Sequence, residues 1–234
     1  MRNARRTEII AAMQKAKVHI LALATIAIFV FVPASQAQAP LPELTIQATN
    51  GGSVLHIRNP HSAVVSAFLI ELVDYPGSSF SLWQDDAAGE GIPAHSERTI
   101  PITNMTVGAA PEYVKMRAAI YGDGSTAGIP EKSAQLVERR RFTLKTMREM
   151  IAKLKEAQAS GKAPAAIAAE LRAWSAGLPE ATRRNRNSQE TINNNAARKL
   201  LAEFADLLEK QPAAELIQRV EKRAQALASS KPTL

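Results

Sequence analysis

The sequence predicts a segregated α+β fold, and three observations carry that prediction. From residue 41 to 127 apolar residues recur at every second position, in short runs broken by Gly, Pro and Asn. A period of two marks strands with one buried face. From residue 129 to 230 the apolar spacing changes to three, four and seven, the mark of helices that bury one side. The chain has no cysteine, so its core rests on packing alone, and thiol or Cys-zinc chemistry is excluded. The expected arrangement is an N-terminal antiparallel β-sandwich over 41–127 followed by a helical domain over 129–230, built as a bundle or as helical hairpins.

Residues 1–37 precede both parts and read as a signal peptide. Arg2, Arg5, Arg6, Lys15 and Lys17 form a positive flank, and Val18 to Val32 is an apolar run with one His and one Thr. Pro33 ends the run and small residues follow, completing the three parts of a cleavable export signal. The run is shorter than the roughly 20 residues a spanning helix needs. Ser35 and Ala37 place the cut before Gln38, because cutting after Ala39 would put Pro40 next to the scissile bond. Met13 offers an alternative start with a tidier positive flank. The expected product is an exported chain, periplasmic or extracellular, with no stable transmembrane span.

Within 41–127, Leu44, Ile46 and Ala48 alternate with Thr45, Gln47 and Thr49, and Asn50-Gly51-Gly52 signals a tight turn. Leu55 and Ile57 then oppose His56. Val64 to Tyr75 reads as a central strand, with Val64, Phe68, Ile70 and Leu72 on one face and Val65, Leu69 and Val73 partly covering the other. Ile100-Pro101-Ile102 suits an edge strand, since proline cannot donate to a ladder. Tyr113 to Tyr121 alternates again, giving five or six strands in all. Tyr113 stands where a tyrosine-corner residue would, which points to the general immunoglobulin-like class without its disulfide.

In the second half Pro130 suits the first position of a helix whose stripe holds Val137, Leu144, Met147, Ile151 and Leu154. Arg140 falls in that stripe and is expected at a less buried start of the face, or with its head group reaching solvent. Pro164 to Ala176 forms a second helix. The polar, Asn-rich run 182–195 reads as a loop or weak helix. Helices over 196–209 and 212–228 then form an antiparallel hairpin.

Charge divides the chain in the same place. Residues 38–125 carry four basic and nine acidic side chains, whereas 126–234 carry 20 basic and 12 acidic. The basic helical half is expected to face solvent, the acidic β half, a protein partner or an anionic envelope surface. Lid-like closure of the helical half over the β half is a further reading. Arg139-Arg140-Arg141 and Arg183-Arg184-x-Arg186 are its basic clusters. Interhelix ion pairs or contact with the β half explain them better than nucleic acid, since aromatics for base stacking are not interleaved.

No catalytic, cofactor-binding or metal residue is nominated. His56, His61 and His95 share no ligand spacing, and solvated histidines are preferred. Asp85, Asp86 and Glu90 form an acidic loop, read as a solvated turn rather than a calcium site. Asp123-Gly124-Ser125 reads as a turn between strand and helix. No nucleophile motif or phosphate-cradling glycine loop is present.

Asn59-Pro60 with Val65-x-Ala67-Phe68, then Ala118-Ala119-Ile120-Tyr121-x-Asp123-Gly124-Ser125-x-x-Gly128 and Arg139-Arg140, resembles a group of uncharacterised exported bacterial proteins. The resemblance covers residues 45–141. It implies an immunoglobulin-like β-sandwich, a D-G-S/T-x-x-G turn and a helical tail, and no activity. The expected function is a non-catalytic binding or structural module of the bacterial cell envelope. The alternative is an extracytoplasmic enzyme or enzyme accessory whose site converges only in the fold.

Overall fold

The structure is a computed structural model and describes residues 39–49, 52–72, 81–103, 114–182 and 184–231. The expected signal peptide, the turn residues Asn50 and Gly51, and Tyr113 lie outside the described residues. Gln38–Leu234 form one compact unit. Its front half holds seven strands: β1 (Glu43–Thr49), β2 (Gly52–Arg58), β3 (Val65–Leu72), β4 (Ser81–Asp85), β5 (Glu97–Thr103), β6 (Val114–Tyr121) and β7 (Thr126–Gly128). Four helices follow: α1 (Pro130–Ala159), α2 (Pro164–Gly177), α3 (Gln189–Leu208) and α4 (Ala213–Ser229). Strands and helices are thus segregated along the chain.

The strands form two antiparallel sheets, ordered β1-β2-β5 and β4-β3-β6-β7. Pro101 sits on the outer strand β5, opposite Val54, where a missing N–H costs no ladder bond. One apolar core takes residues from both sheets, among them Leu55, Ile57, Phe68, Ile70, Ala119 and Tyr121. The far face of the larger sheet is apolar too. There Ala67, Leu69, Ala118 and Ile120 pack under Leu136 of α1. β3 therefore buries both faces, which explains its nearly continuous apolar sequence.

The expected apolar face of β3 began at Val64, but Val64 precedes the strand and is exposed. A register shift between Val65 and Ala67 breaks the alternation, so Val65 joins Phe68 and Ile70 in the core. Two strands were not anticipated. β4 is five residues long and β7 three, too short for a period of two to declare itself.

Two motif residues explain themselves as scaffold. Asn59 is fully buried; its amide donates to the carbonyls of Ala63, Ile92 and Pro93 at 2.8–3.0 Å, and its Oδ1 accepts the His61 N–H at 3.0 Å. It ties the loop after β2 to the loop before β5. In Asp123-Gly124-Ser125, Asp123 Oδ1 accepts the Ser125 N–H at 2.9 Å and its hydroxyl at 2.7 Å. This turn joins β6 to β7 rather than a strand to a helix. Gly128 has φ 91°, and a Cβ there would collide with the Arg117 carbonyl, so only glycine fits.

α1 spans 30 residues, about 45 Å at the helical rise. Its first turns, through Ser133 and Leu136, lie on the larger sheet. Its later turns carry Leu144, Met147, Met150 and Leu154 into a separate helical core. That core also takes Leu171 of α2, Phe204 of α3 and Val220 of α4. α3 begins seven residues before the expected helix start. Ser188 caps it by accepting the Thr191 N–H at 3.2 Å, and Thr191, Ile192, Asn193 and Asn194 are buried. A short link joins α3 to α4 as expected, yet α3 packs chiefly on α2, and α4 chiefly on α1.

Candidate functional site

Consecutive helical residues point about 100° apart, so the run Arg139-Arg140-Arg141 fans out in three directions. Arg141 faces solvent and pairs with Glu138 at 3.0 Å. Arg140 is turned fully inward, with 0% exposure. It is neither at a less buried start of the helix nor snorkelling. Its Nε and one terminal nitrogen hold both oxygens of Asp85, at 2.9 and 3.0 Å. The same fork donates to Ser66 Oγ at 3.1 Å, to the Lys231 carbonyl at 2.7 Å and to Ser230 Oγ at 3.3 Å. β3, β4, α1 and the segment after α4 thus meet on one guanidinium. A bidentate pair with its remaining donors satisfied is the form in which a buried charge is tolerated.

The acidic loop is therefore a turn only partly solvated: Glu90 is exposed, but Asp85 and Asp86 are not free in solvent. Asp85 belongs to Arg140, and Asp86 is paired with Arg98, whose other terminal nitrogen donates to the Gly91 carbonyl. Among the described residues no group of three His, Asp or Glu side chains gathers as a metal-ligand set. His56 lies across the β1-β2-β5 sheet, with Glu97 at 2.7 Å and Gln47 at 3.2 Å. His61 rests on the Tyr121 ring at 4.5 Å. His95 occupies the turn before β5 with φ 56°.

Arg139 points into a cleft of about 390 Å³ between β4, α1 and the start of α3. A smaller hollow of about 110 Å³ continues it past Trp83, Arg139 and Lys199 toward α4. Each wall has a sequence reason. Trp83 comes from β4, the outer strand of its sheet, where it pairs with Leu69. Ile192, Asn195, Ala196 and Lys199 recur at three and four on α3, so they share a face. Lys132 and Arg139 are seven apart on α1. Arg186 and Asn187 come from the turn before Ser188. Gln189 fixes that turn to α1 by donating to the Gln135 carbonyl at 3.3 Å.

The cleft is electrostatically lopsided. Each carboxylate on its walls already has a cation. Glu71 pairs with Lys132 at 2.8 Å and Arg117 at 3.3 Å, Asp85 with Arg140, and Glu203 with Arg223 at 3.3 Å. Arg139, Arg186 and Lys199 have no side-chain hydrogen bond or ion pair among the described residues. Burial pulls the Arg139 guanidinium below its ordinary pKa, with the nearby Asp85 acting against the shift. The cations unpaired among the described residues, the Trp83 ring and the Asn187 and Asn195 amides give the cleft the chemistry to accept an anion. Among the described residues the walls carry no unpaired carboxylate and no histidine to act as a general base.

Of these residues, the sequence singled out Arg139, Arg186 and Asp85; Trp83, Lys132 and Lys199 carried no local signal. Arg183 lies outside the described residues, and Arg184 is exposed. A second cavity of about 340 Å³ lies beside Trp174, whose ring is covered by Lys153 Nζ at 5.7 Å. Its Lys162 and Glu170 pair with each other at 2.6 Å, so charge is balanced there. No described helix is long and apolar enough to cross a membrane. Compared with protein-family models, curated proteins and solved structures, the chain matches none of them.

Proposed function

We propose that this protein is an exported, non-catalytic binding module of the bacterial cell envelope, an immunoglobulin-like β-sandwich carrying a helical bundle, with the cleft at Arg139 as its binding site. One observation carries the reading: among the described residues the walls of the cleft leave three cations unpaired, while each of their carboxylates is paired. That composition favours holding an anion over moving a proton. The apolar core common to both sheets supports the sandwich. The positive flank, the apolar run and the small residues before Gln38 support removal of residues 1–37.

The test is expression of the full chain in a Gram-negative cell, with a photo-crosslinking amino acid at Ser81 on the rim of the cleft or, as a control, at Thr99 on the smaller sheet. The expected result is a chain starting at Gln38 in the osmotic-shock fraction, with a discrete adduct from position 81 and none from 99. An intact N-terminus in the cytoplasm, or the same adducts from both positions, overturns the proposal.

A further inference from the structure

We propose that the ligand of this cleft is a phosphate ester, whose phosphate is clamped by Arg139, Arg186 and Lys199 and whose organic body lies along Trp83. The proposal rests on reading the cleft as a binding site and names the ligand class it takes.

Charge selects the class. The three unpaired cations come from three segments, α1, the turn before α3, and α3 itself. A phosphomonoester carries nearly two negative charges near neutrality and three terminal oxygens, so it engages several cations at once. A carboxylate brings one charge and two oxygens, enough for a single guanidinium. Asp85 does that for Arg140, a residue away from Arg139. With Arg139 partly desolvated, each contact it makes is stronger than on an open surface.

Shape points the same way. The cleft is larger than a bare anion requires, at about 390 Å³, and Trp83 is only partly buried by the protein. Asn187 and Asn195 supply amides that donate and accept, suited to hydroxyl groups on the organic body. The two sources of this chemistry are a soluble ester and a phospholipid headgroup.

Trp83 reports binding directly. The chain has two tryptophans, and Trp174→Phe leaves Trp83 as the reporter. Its fluorescence is followed while the purified protein is titrated with glucose 6-phosphate, with glucuronate, and with vesicles containing phosphatidic acid, whose headgroup is a phosphomonoester, set against vesicles of phosphatidylcholine alone. The expected result is saturable binding of the sugar phosphate or of the anionic vesicles, with glucuronate about tenfold weaker. Saturation by the soluble ester assigns the source to solution, and saturation by vesicles alone assigns it to the membrane. Arg139→Gln should weaken binding by about tenfold or more. Lys199→Gln and Arg186→Gln replace exposed side chains and are expected to weaken it at unchanged thermal stability. They keep the test decisive should Arg139→Gln fail to fold. Binding of neither phosphate probe, equal binding of glucuronate, or full binding by both exposed variants overturns the proposal. A position-81 adduct in the cell without phosphate binding in vitro would leave the binding module standing and remove only this ligand class.

Discussion

Arg139 and Arg140 are neighbours in sequence and opposite in circumstance. Arg140 is closed off from water and has four partners, Asp85, Ser66, Ser230 and Lys231. Arg139 lines a cleft without an intramolecular partner among the described residues. One turn angle of a helix separates a charge used to join parts of the molecule from a charge left available. The contrast teaches that basic residues on this helical half do not act as one surface. The first kind is judged by what happens to stability, and the second by what happens to binding.

The contrast can be broken by mutation, beginning with the largest effect. Arg140→Ala leaves Asp85 buried without its cation and should cost about 3–5 kcal/mol in denaturant unfolding. Arg140→Lys should recover part of that loss, because an ammonium cannot reproduce the fork. Leu136→Ala, one turn earlier on the same helix, removes the side chain that seats α1 on Ala67 and Leu69. It should cost about 2–5 kcal/mol, with Arg140 still paired. A loss under about 1 kcal/mol would show that the ion pair alone holds the halves together.

Tyr121 provides a pH-dependent comparison from the other side of the sheet. It is fully buried, its hydroxyl donates to the Pro40 carbonyl, and burial followed by repulsion from Asp123 pushes its pKa up from 10.0 to about 12. The folded state holds this proton more tightly than the unfolded state. Its contribution to stability is therefore complete below pH 10 and shrinks as pH rises toward 12. Tyr121→Phe should flatten that alkaline decline in unfolding measured at successive pH values.

Ser188→Ala should cost about 1 kcal/mol, the worth of a helix cap. Since Ser188 fixes the turn that carries Arg186, the variant should lose binding out of proportion to stability. The smallest effect belongs to Arg139. Arg139→Ala should stay within about 1 kcal/mol of wild type in unfolding, having no ion pair to lose. A loss as large as that of Arg140→Ala would end the distinction between the two residues.

The sequence made the division into strands and helices legible because each half buries a regular face. β4 and β7 escaped because five and three residues carry too little periodicity. The first two turns of α3 stayed undecided between loop and weak helix because Asn193 and Asn194 are poor helix formers, held by tertiary burial and by the cap at Ser188. The arginine run was visible as charge, but its three directions depend on how α1 lies on the sheet. Arg140 was legible as an intruder in an apolar stripe, and its partner Asp85 as part of an acidic loop. Nothing local joined the two across 55 positions. Trp83 and Lys199 came to line one cleft only because α1 packs on both β4 and α3.

The contact between Arg140 and the Lys231 carbonyl spans 91 positions, and it orders events in time as well as in space. Asp85 and Ser66 precede Arg140 in the chain, whereas Ser230 and Lys231 follow it by some ninety residues. A chain emerging N-terminus first has its strands, and two of the guanidinium's four partners, before the last donor can be satisfied. Late closure of so long a loop is slow relative to helix or hairpin formation. Folding should therefore end with a distinct docking step in which the segment after α4 reaches Arg140.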